Sequence, residues 1–254
     1  LKVRILGCGT STGVPKIGND WGLCDPDEAR NARLRTSILV ESANERMLVD
    51  CGPDLRQQLL AAEVTQLDSV IVTHVHGDHC HGIDELRPVS QAIDGPVPLH
   101  ARAEVLEELQ LRFAYAFERS DFYRPIVEGR ELGEELRFGT CRVTAVDQPH
   151  GGATSLGLRF DERDSSVGYA VDFSELSDDM AALYEGVDVW IADCLTRRPH
   201  PTHMHLDGVL TVARDLRVGQ LYLVHMGNGL DYRTLVAELP DWAAPAYDGL
   251  EVVL

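Results

Sequence analysis

The sequence has no apolar run near the ~18 residues that a bilayer-crossing helix needs, which excludes a protein built on transmembrane helices. Its six cysteines, at positions 8, 24, 51, 80, 141 and 194, include no C-x-x-C pair. Disulfide frameworks and thiolate zinc sites draw on clustered cysteines, so scattered thiols within apolar runs read as reduced, and the expected compartment is the cytoplasm. Positive charge is scarce as well: Lys plus Arg number 23 against 41 Asp plus Glu, a formal net charge of −18. That balance argues against broad affinity for nucleic acid or an anionic membrane. No Pro/Gly/Ser-rich linker, low-complexity tract or fixed-period repeat breaks the chain, so residues 1–254 read as one domain. No signal-peptide pattern opens it, although a start at Leu1 rather than Met leaves room for residues before it. What is present is an ordinary globular composition, 44% hydrophobic and 25% charged over 254 residues, enough to bury a large core without disulfides or a partner.

Short β-branched runs predict strands at Lys2–Leu6, Thr36–Glu41, Arg46–Asp50, Ser69–Thr73, Cys141–Val146, Ser155–Phe160, Ser166–Val171, Val187–Asp193, Gln220–His225 and Leu250–Leu254. Helical spacing predicts helices at Pro53–Glu63, Asp84–Gln91, Arg102–Phe117, Ser177–Tyr184 and Leu206–Leu216, and Asp161–Asp164 reads as a hairpin turn. Early strands follow one another while later ones alternate with helices. The pattern is α/β, with sheets covered by helices on the outside.

Four of the ten histidines fall in Thr73-His74-Val75-His76-Gly77-Asp78-His79-Cys80-His81, directly after the apolar run Ser69–Thr73. His74 and His76 can converge on one cation, and Asp78 with His79 on a second, because the loop turns at Gly77. Imidazole and carboxylate together suit Zn²⁺ and neighbouring first-row metals. Four side chains cannot close two sites, and three further candidates end strands: His150 before Gly151-Gly152, Asp172 after Val171, and His225 after Val224.

His74-x-His76-x-Asp78-His79 followed by His150, Asp172 and His225 resembles the metallo-β-lactamase superfamily across nearly the whole chain. Within it, Gly7-Cys8-Gly9-Thr10-Ser11-Thr12-Gly13-Val14-Pro15, Trp21-Gly22 and Thr202-His203-Met204-His205-Leu206-Asp207 look like the PhnP-type phosphodiesterases, which open cyclic phosphates of phosphoribose and are similar to tRNase Z. The resemblance implies an αββα sandwich of two mixed β-sheets flanked by helices. It also implies two divalent ions (Zn²⁺, Mn²⁺ or Fe²⁺), one on His74, His76 and His150, the other on Asp78, His79 and His225, bridged by Asp172. Two features depart from that family. Trp21-Gly22-Leu23-Cys24-Asp25-Pro26-Asp27 offers one cysteine where the phosphonate-pathway enzymes hold a structural zinc with several, and His225-Met226-Gly227-Asn228 lacks their second histidine. No structural zinc at Cys24 is expected. Nor is the long tRNA-gripping arm, since Pro96–Leu132 reads as compact helix and connections.

The expected reaction is hydrolysis of a small cyclic ribose phosphate or nucleotide-like phosphodiester by a hydroxide between the metals. His203 is the candidate acid for the leaving alkoxide and His205 its rival. Asp50, ending Met47-Leu48-Val49, reads equally as the carboxylate behind a ligand histidine or as a turn residue before Gly52-Pro53. Ser11 and Thr12 could meet the phosphate, and Arg33, Arg35, Arg197 and Arg198 could bind the ester or sugar, Arg197 being the one named as a substrate contact, although each taken singly reads as a surface arginine. Cys8, Cys51, Cys80 and Cys194 read as packing residues. Competing readings are a thioester or lactone hydrolase on the same metals, a ribonuclease acting on tRNA ends, and a metal-binding module without catalysis. A homodimer is left open.

Overall fold

The structure is a computed structural model describing residues 1–254. One seven-stranded sheet runs in the order β14-β1-β2-β3-β4-β5-β6 and a second in the order β13-β12-β11-β10-β9-β8-β7. The first comprises β1 (Lys2–Gly7), β2 (Ser37–Ser42), β3 (Glu45–Val49), β4 (Ser69–Ile71), β5 (Val97–Ala101), β6 (Val127–Glu131) and β14 (Glu251–Val253). The second comprises β7 (Glu135–Phe138), β8 (Cys141–His150), β9 (Ala153–Glu162), β10 (Ser165–Ala170), β11 (Val189–Asp193), β12 (Gln220–Val224) and β13 (Ala243–Pro245). Antiparallel and parallel pairs occur in both.

Period-2 alternation makes the layers. In β2 and β3, Ile38, Val40, Met47 and Val49 join a cluster of 44 buried residues shared with the second sheet. Their neighbours Leu39 and Leu48 point the other way, into a cluster of 22. The smaller cluster packs against α1 (Leu55–Ala61), α3 (Arg87–Ala92) and α4 (Ala103–Arg112) through Leu55, Leu59, Val89, Val105 and Leu109. On the second sheet, Met180 and Tyr184 of α6 (Asp178–Tyr184), Val209 and Ala213 of α7 (Leu206–Asp215) and Leu235 of α8 (Tyr232–Glu238) join the larger cluster. The architecture is an αββα sandwich of two mixed sheets flanked by helices, as the resemblance implies.

Several elements differ from their sequence expectation. Pro96–Leu132 is not only helix and connections: β5 and β6 lie there, paired in parallel. Pro98 inside β5, and the single apolar residue of Val127-Glu128-Gly129-Arg130-Glu131, hide both from a reading of alternation. The expected helix over Arg102–Phe117 breaks at Phe113 (φ −123°, ψ 35°) into α4 and the short α5 (Ala114–Phe117). A 3-10 turn, Ile83–Leu86, precedes α3, whose first turn holds Pro88. The strands β7 and β13 and the helix α8 were unforeseen. The N-cap of α8 is legible in hindsight, because Asp231 accepts from the Thr234 amide at 2.9 Å.

Strand polarity positions the site. The strands β3 and β4 run parallel in the first sheet, as do β10, β11 and β12 in the second, so their C-terminal ends lie side by side at one edge of the sandwich. Strand β8, antiparallel to β9, which is antiparallel to β10, delivers His150 to the same edge.

Candidate metal centre

The histidine loop opens after β4, and α2 (Gly77–Cys80) gives Asp78 and His79 one turn of helix. Outer oxygens fix the rings. Asp50 accepts from the Thr73 amide (2.8 Å), the Thr73 hydroxyl (3.0 Å) and His79 Nδ1 (2.7 Å). The Thr73 oxygen, its proton on Asp50, faces His74 Nδ1 at 3.0 Å. His150 Nδ1 donates to the Thr202 carbonyl at 2.8 Å, and His225 Nδ1 lies 3.7 Å from Asp193 Oδ1. With Nδ1 engaged outward in His74, His79 and His150, and turned toward Asp193 without a hydrogen bond in His225, these rings present Nε2 inward.

The inward atoms form two groups. His74 Nε2 and His150 Nε2 lie 3.0 and 3.3 Å from His76 Nδ1, and Asp172 Oδ2 lies 3.3 and 3.4 Å from the same two Nε2 atoms. On the other side, Asp78 Oδ2 is 3.2 Å from His79 Nε2 and 3.4 Å from His225 Nε2. Asp172 Oδ1 reaches His225 Nε2 at 3.3 Å, so one carboxylate faces both groups. The structure therefore brings all seven candidate ligands together.

The residues present fit divalent ions. His79 Nε2 and Asp172 Oδ1 are buried without a hydrogen-bond partner, a costly arrangement that coordination would satisfy. Nitrogen and carboxylate oxygen in groups of three or four match the donor set of zinc and its neighbours. The electrostatics agree. Burial opposes ionisation of Asp78 and Asp172, yet the surrounding imidazoles hold both carboxyls below their usual range. Burial, with the neighbouring His79 imidazole, pushes His74 down to about 4 against the pull of Asp172 and Asp50. At His225 burial is outweighed by Asp172, Asp193 and Asp78, which raise it to about 10.

His203 stands beside this cluster. Its ring stacks on His225 (centroids 5.0 Å, 18°) and lies 4.9 Å from His150. Its Nδ1 donates to Asp193 Oδ2 at 2.8 Å. Asp193 escaped the sequence reading, although an acid closing the apolar run Val189–Ala192 repeats the signal that singled out Asp50. The His205 ring instead packs over Gly208, where a Cβ would come within 2.8 Å of it.

The substrate candidates are less gathered. Ser11 and Thr12 are exposed on a loop held against the residue after His225 by the Thr10 amide and the Met226 carbonyl (3.2 Å). Arg197 pairs with Glu238 at 2.7 Å, and Arg35 with Asp54 at 2.6 Å. Arg33 is not a surface arginine. It is buried, donating to the Leu230 (2.6 Å) and Gly227 (3.2 Å) carbonyls and to Asn31 Oδ1 (3.2 Å), with Cys24 Sγ at 3.9 Å. All six cysteines are buried and free. Burial pushes the Cys80 thiol up to about 11, against any role as a thiolate nucleophile.

Comparison with known proteins agrees with this geometry. Residues 45–226 match the beta-lactamase superfamily domain. A solved diphosphatase from the PhnP family superposes with a TM-score of 0.90 at 31% identity, covering 99% of this chain and 96% of that one. An octanoyltransferase of Porphyromonas gingivalis is 28% identical over 260 residues, covering 100% of this chain and 52% of that protein. A ribonuclease Z of Pseudomonas putida is 32% identical over 151 residues, covering 58% of this chain and 43% of that protein. The chain thus spans about half the length of these two sequence relatives. No helix is long and apolar enough to cross a membrane. With its His/Asp cluster at the sheet edge, the chain belongs to the beta-lactamase superfamily, in its PhnP-like branch.

Proposed function

We propose that the protein hydrolyses a small phosphodiester, a cyclic ribose phosphate or nucleotide-like ester, with two divalent ions bound. His74, His76 and His150 would hold one ion, Asp78, His79 and His225 the other, and Asp172 both. When bound, such ions polarise a phosphoryl oxygen and generate a nucleophile from water at neutral pH. The observation that carries the reading is the Asp193–His203 pair beside the cluster. A departing alkoxide needs a proton, and Asp193 fixes which nitrogen can supply it. With Nδ1–H bound to the carboxylate at 2.8 Å, Nε2 is the position free to hold and deliver the proton. Ser11, Thr12 and the loop amides near Met226 are the candidate contacts for the phosphate, and Arg197 would have to leave Glu238 to join them. A thioester needs no such acid, because a thiolate leaves unaided.

Hydrolysis of bis-p-nitrophenyl phosphate, an acyl thioester and a model RNA, each with and without added Mn²⁺ or Zn²⁺, tests the reading. Metal-dependent turnover of the phosphodiester is expected. Thioester turnover without it would sink the proposal, and cleavage confined to the RNA would favour the ribonuclease reading instead.

A further inference from the structure

The helices over the first sheet leave apolar surface exposed on either side of α3. Between α1 and α3 runs a groove of about 350 Å³, with Leu59, Leu60, Val64, Pro88, Val89 and Ala92 in its walls. Leu59 and Val89 continue into the core beneath, while Leu60 is 62% exposed. A segment running from Tyr115 to Arg124 is held along the same helix. The Tyr115 hydroxyl donates to Asp84 Oδ2 at 2.6 Å, the Arg87 guanidinium lies over the Tyr123 ring, and Arg124 donates to Asp94 at 2.6 Å. Pro88 and Ala92, one turn apart, share one side of α3, and Arg87 is about 100° round from Pro88. The groove and the segment therefore flank the helix on different sides.

The segment is aromatic and open to solvent, with Phe122 89% exposed, Tyr123 67% and Tyr115 52%. Aromatic side chains bury roughly 150–250 Å² each, so their exposed parts amount to on the order of 400 Å², about half of the ~800 Å² per partner that a stable interface covers. The charges around them are of both signs. Arg87 and Arg124 pair within the chain, but Arg56 and Glu85 at the groove and Glu118 and Arg119 at the segment have no ion-pair partner. Nucleic acid or an anionic membrane calls for an excess of positive charge, which this balance does not supply. A second copy of the chain does find unlike charges here, although each molecule carries −18 overall.

Projecting rings and an apolar groove thus lie on one surface, with α3 between them. We propose that this face joins two copies of the chain about a two-fold axis near α3, with Phe122 and Tyr123 of each copy seated in the α1–α3 groove of the other. Rotation about such an axis carries the segment of one copy over the groove of the second and makes the contact twice, the self-complementary arrangement of an isologous dimer. Glu118 and Arg119 then arrive beside Arg56 and Glu85 of the second copy. Apolar burial supplies most of the gain, because ion pairs at an exposed rim contribute little.

Sedimentation equilibrium of the full chain tests this, since a dimer has twice the 28.1 kDa of the monomer. Wild type should show a concentration-dependent monomer–dimer equilibrium. Phe122→Ser removes an inserted ring and Ala92→Trp fills the groove, and each should raise the dimer dissociation constant by about 10-fold or more, as loss of a central aromatic anchor does. Both positions are exposed, so circular dichroism should stay that of wild type. Mixing the two variants is the decisive arm. A dimer of one Phe122→Ser chain and one Ala92→Trp chain keeps one intact contact, so the mixture should dimerise more tightly than either variant alone. A wild type that stays monomeric up to millimolar concentration overturns the proposal. So does a dimer that neither substitution weakens, which would lie on another face, and so does a mixture no tighter than its components. A monomer that instead sediments with phosphatidylserine vesicles would give the face to a membrane and overturn it as well.

Discussion

Asp50, Asp172 and His225 each follow a strand with φ between 54° and 64°, a region where side chains other than glycine are uncommon. Each turn aims a side chain into the cluster, so strain at the strand ends is part of how the site is built. Asp50→Ala would leave His79 Nδ1 and the Thr73 amide without their acceptor. Loss of such a carboxylate typically costs 10–100-fold in metal affinity, which chelator competition would measure; unchanged affinity would refute the role. At His203 the expectation is a pattern. His203→Ala should lose ~10²–10⁴ in rate on an alkyl phosphodiester but far less on a nitrophenyl ester, whose leaving group needs no proton. Asp193→Asn should show the same pattern more weakly, with metal content intact in both. Equal losses on the two esters would point to substrate positioning. Away from the site, burial pushes the Asp248 carboxyl up to about 6, although the Cys8 and Leu34 amides donate to it. Its unfolded value is about 3.9, so the stability tied to its protonated form is complete below pH ~4 and lost as pH rises through ~6, on the order of 2–3 kcal/mol. Denaturation of chelator-treated protein at several pH values should show that loss in wild type and not in Asp248→Asn; parallel profiles would exclude it. All seven ligand candidates were legible because their chemistry recurs at strand ends. Asp193 carries the same strand-end signal as Asp50, but its role shows only beside His203, ten residues away in sequence.

Buried Arg33 ties two elements together. Its forks hold the carbonyls of Gly227 and Leu230, just beyond His225, while Asn31 bridges to Asp231, the cap of α8. Removing the guanidinium leaves several buried oxygens unpaired, at ~1–3 kcal/mol each. Arg33→Leu should therefore destabilise the protein by roughly 3 kcal/mol, read from denaturant unfolding. Arg33→Lys should not restore it, because an ammonium cannot span the fork. Full stability in either variant would show that the loop is held by other contacts. Cys24 contacts this guanidinium rather than a cluster of thiols, so a cation is already supplied by the chain there. The same contrast of local and remote information explains which elements could be read. Strands β2, β3, β10 and β11 announce themselves through β-branched runs, because burial on both faces or alternate faces writes itself into the sequence. Strands β6 and β7 lie at the ends of their sheets, β6 with one apolar side chain and β7 only four residues long, and only pairing with a neighbour makes them strands.

At the scale of the molecule, the cluster joins the two sheets. The first sheet contributes Asp50 and the His74–His79 loop after β3 and β4, the second His150, Asp172 and His225 after β8, β10 and β12. Hydrophobic contact already holds the sheets together through the larger core cluster. What that contact cannot do is neutralise carboxylates gathered at one edge of a chain whose net charge is −18. Bound divalent ions would do so, and the unfolded chain offers no equivalent site, so binding should raise stability by mass action. At free metal ~1,000 times the dissociation constant the gain is about 4 kcal/mol. For a chain of this size each kcal/mol moves the midpoint by about 2–4 °C, so chelation should lower Tm by roughly 8–16 °C and added Zn²⁺ or Mn²⁺ should restore it. His76→Ala sharpens the test. His76 is exposed, so its removal leaves no core cavity, yet it takes a nitrogen from the group shared with His150 and Asp172 across the sheets. The variant without metal should melt with metal-free wild type, while its metal-induced rise in Tm should be clearly smaller. If wild type melts at the same temperature with and without metal, the ions do not cross-link the sandwich. If the variant keeps the full rise, His76 is not one of the ligands.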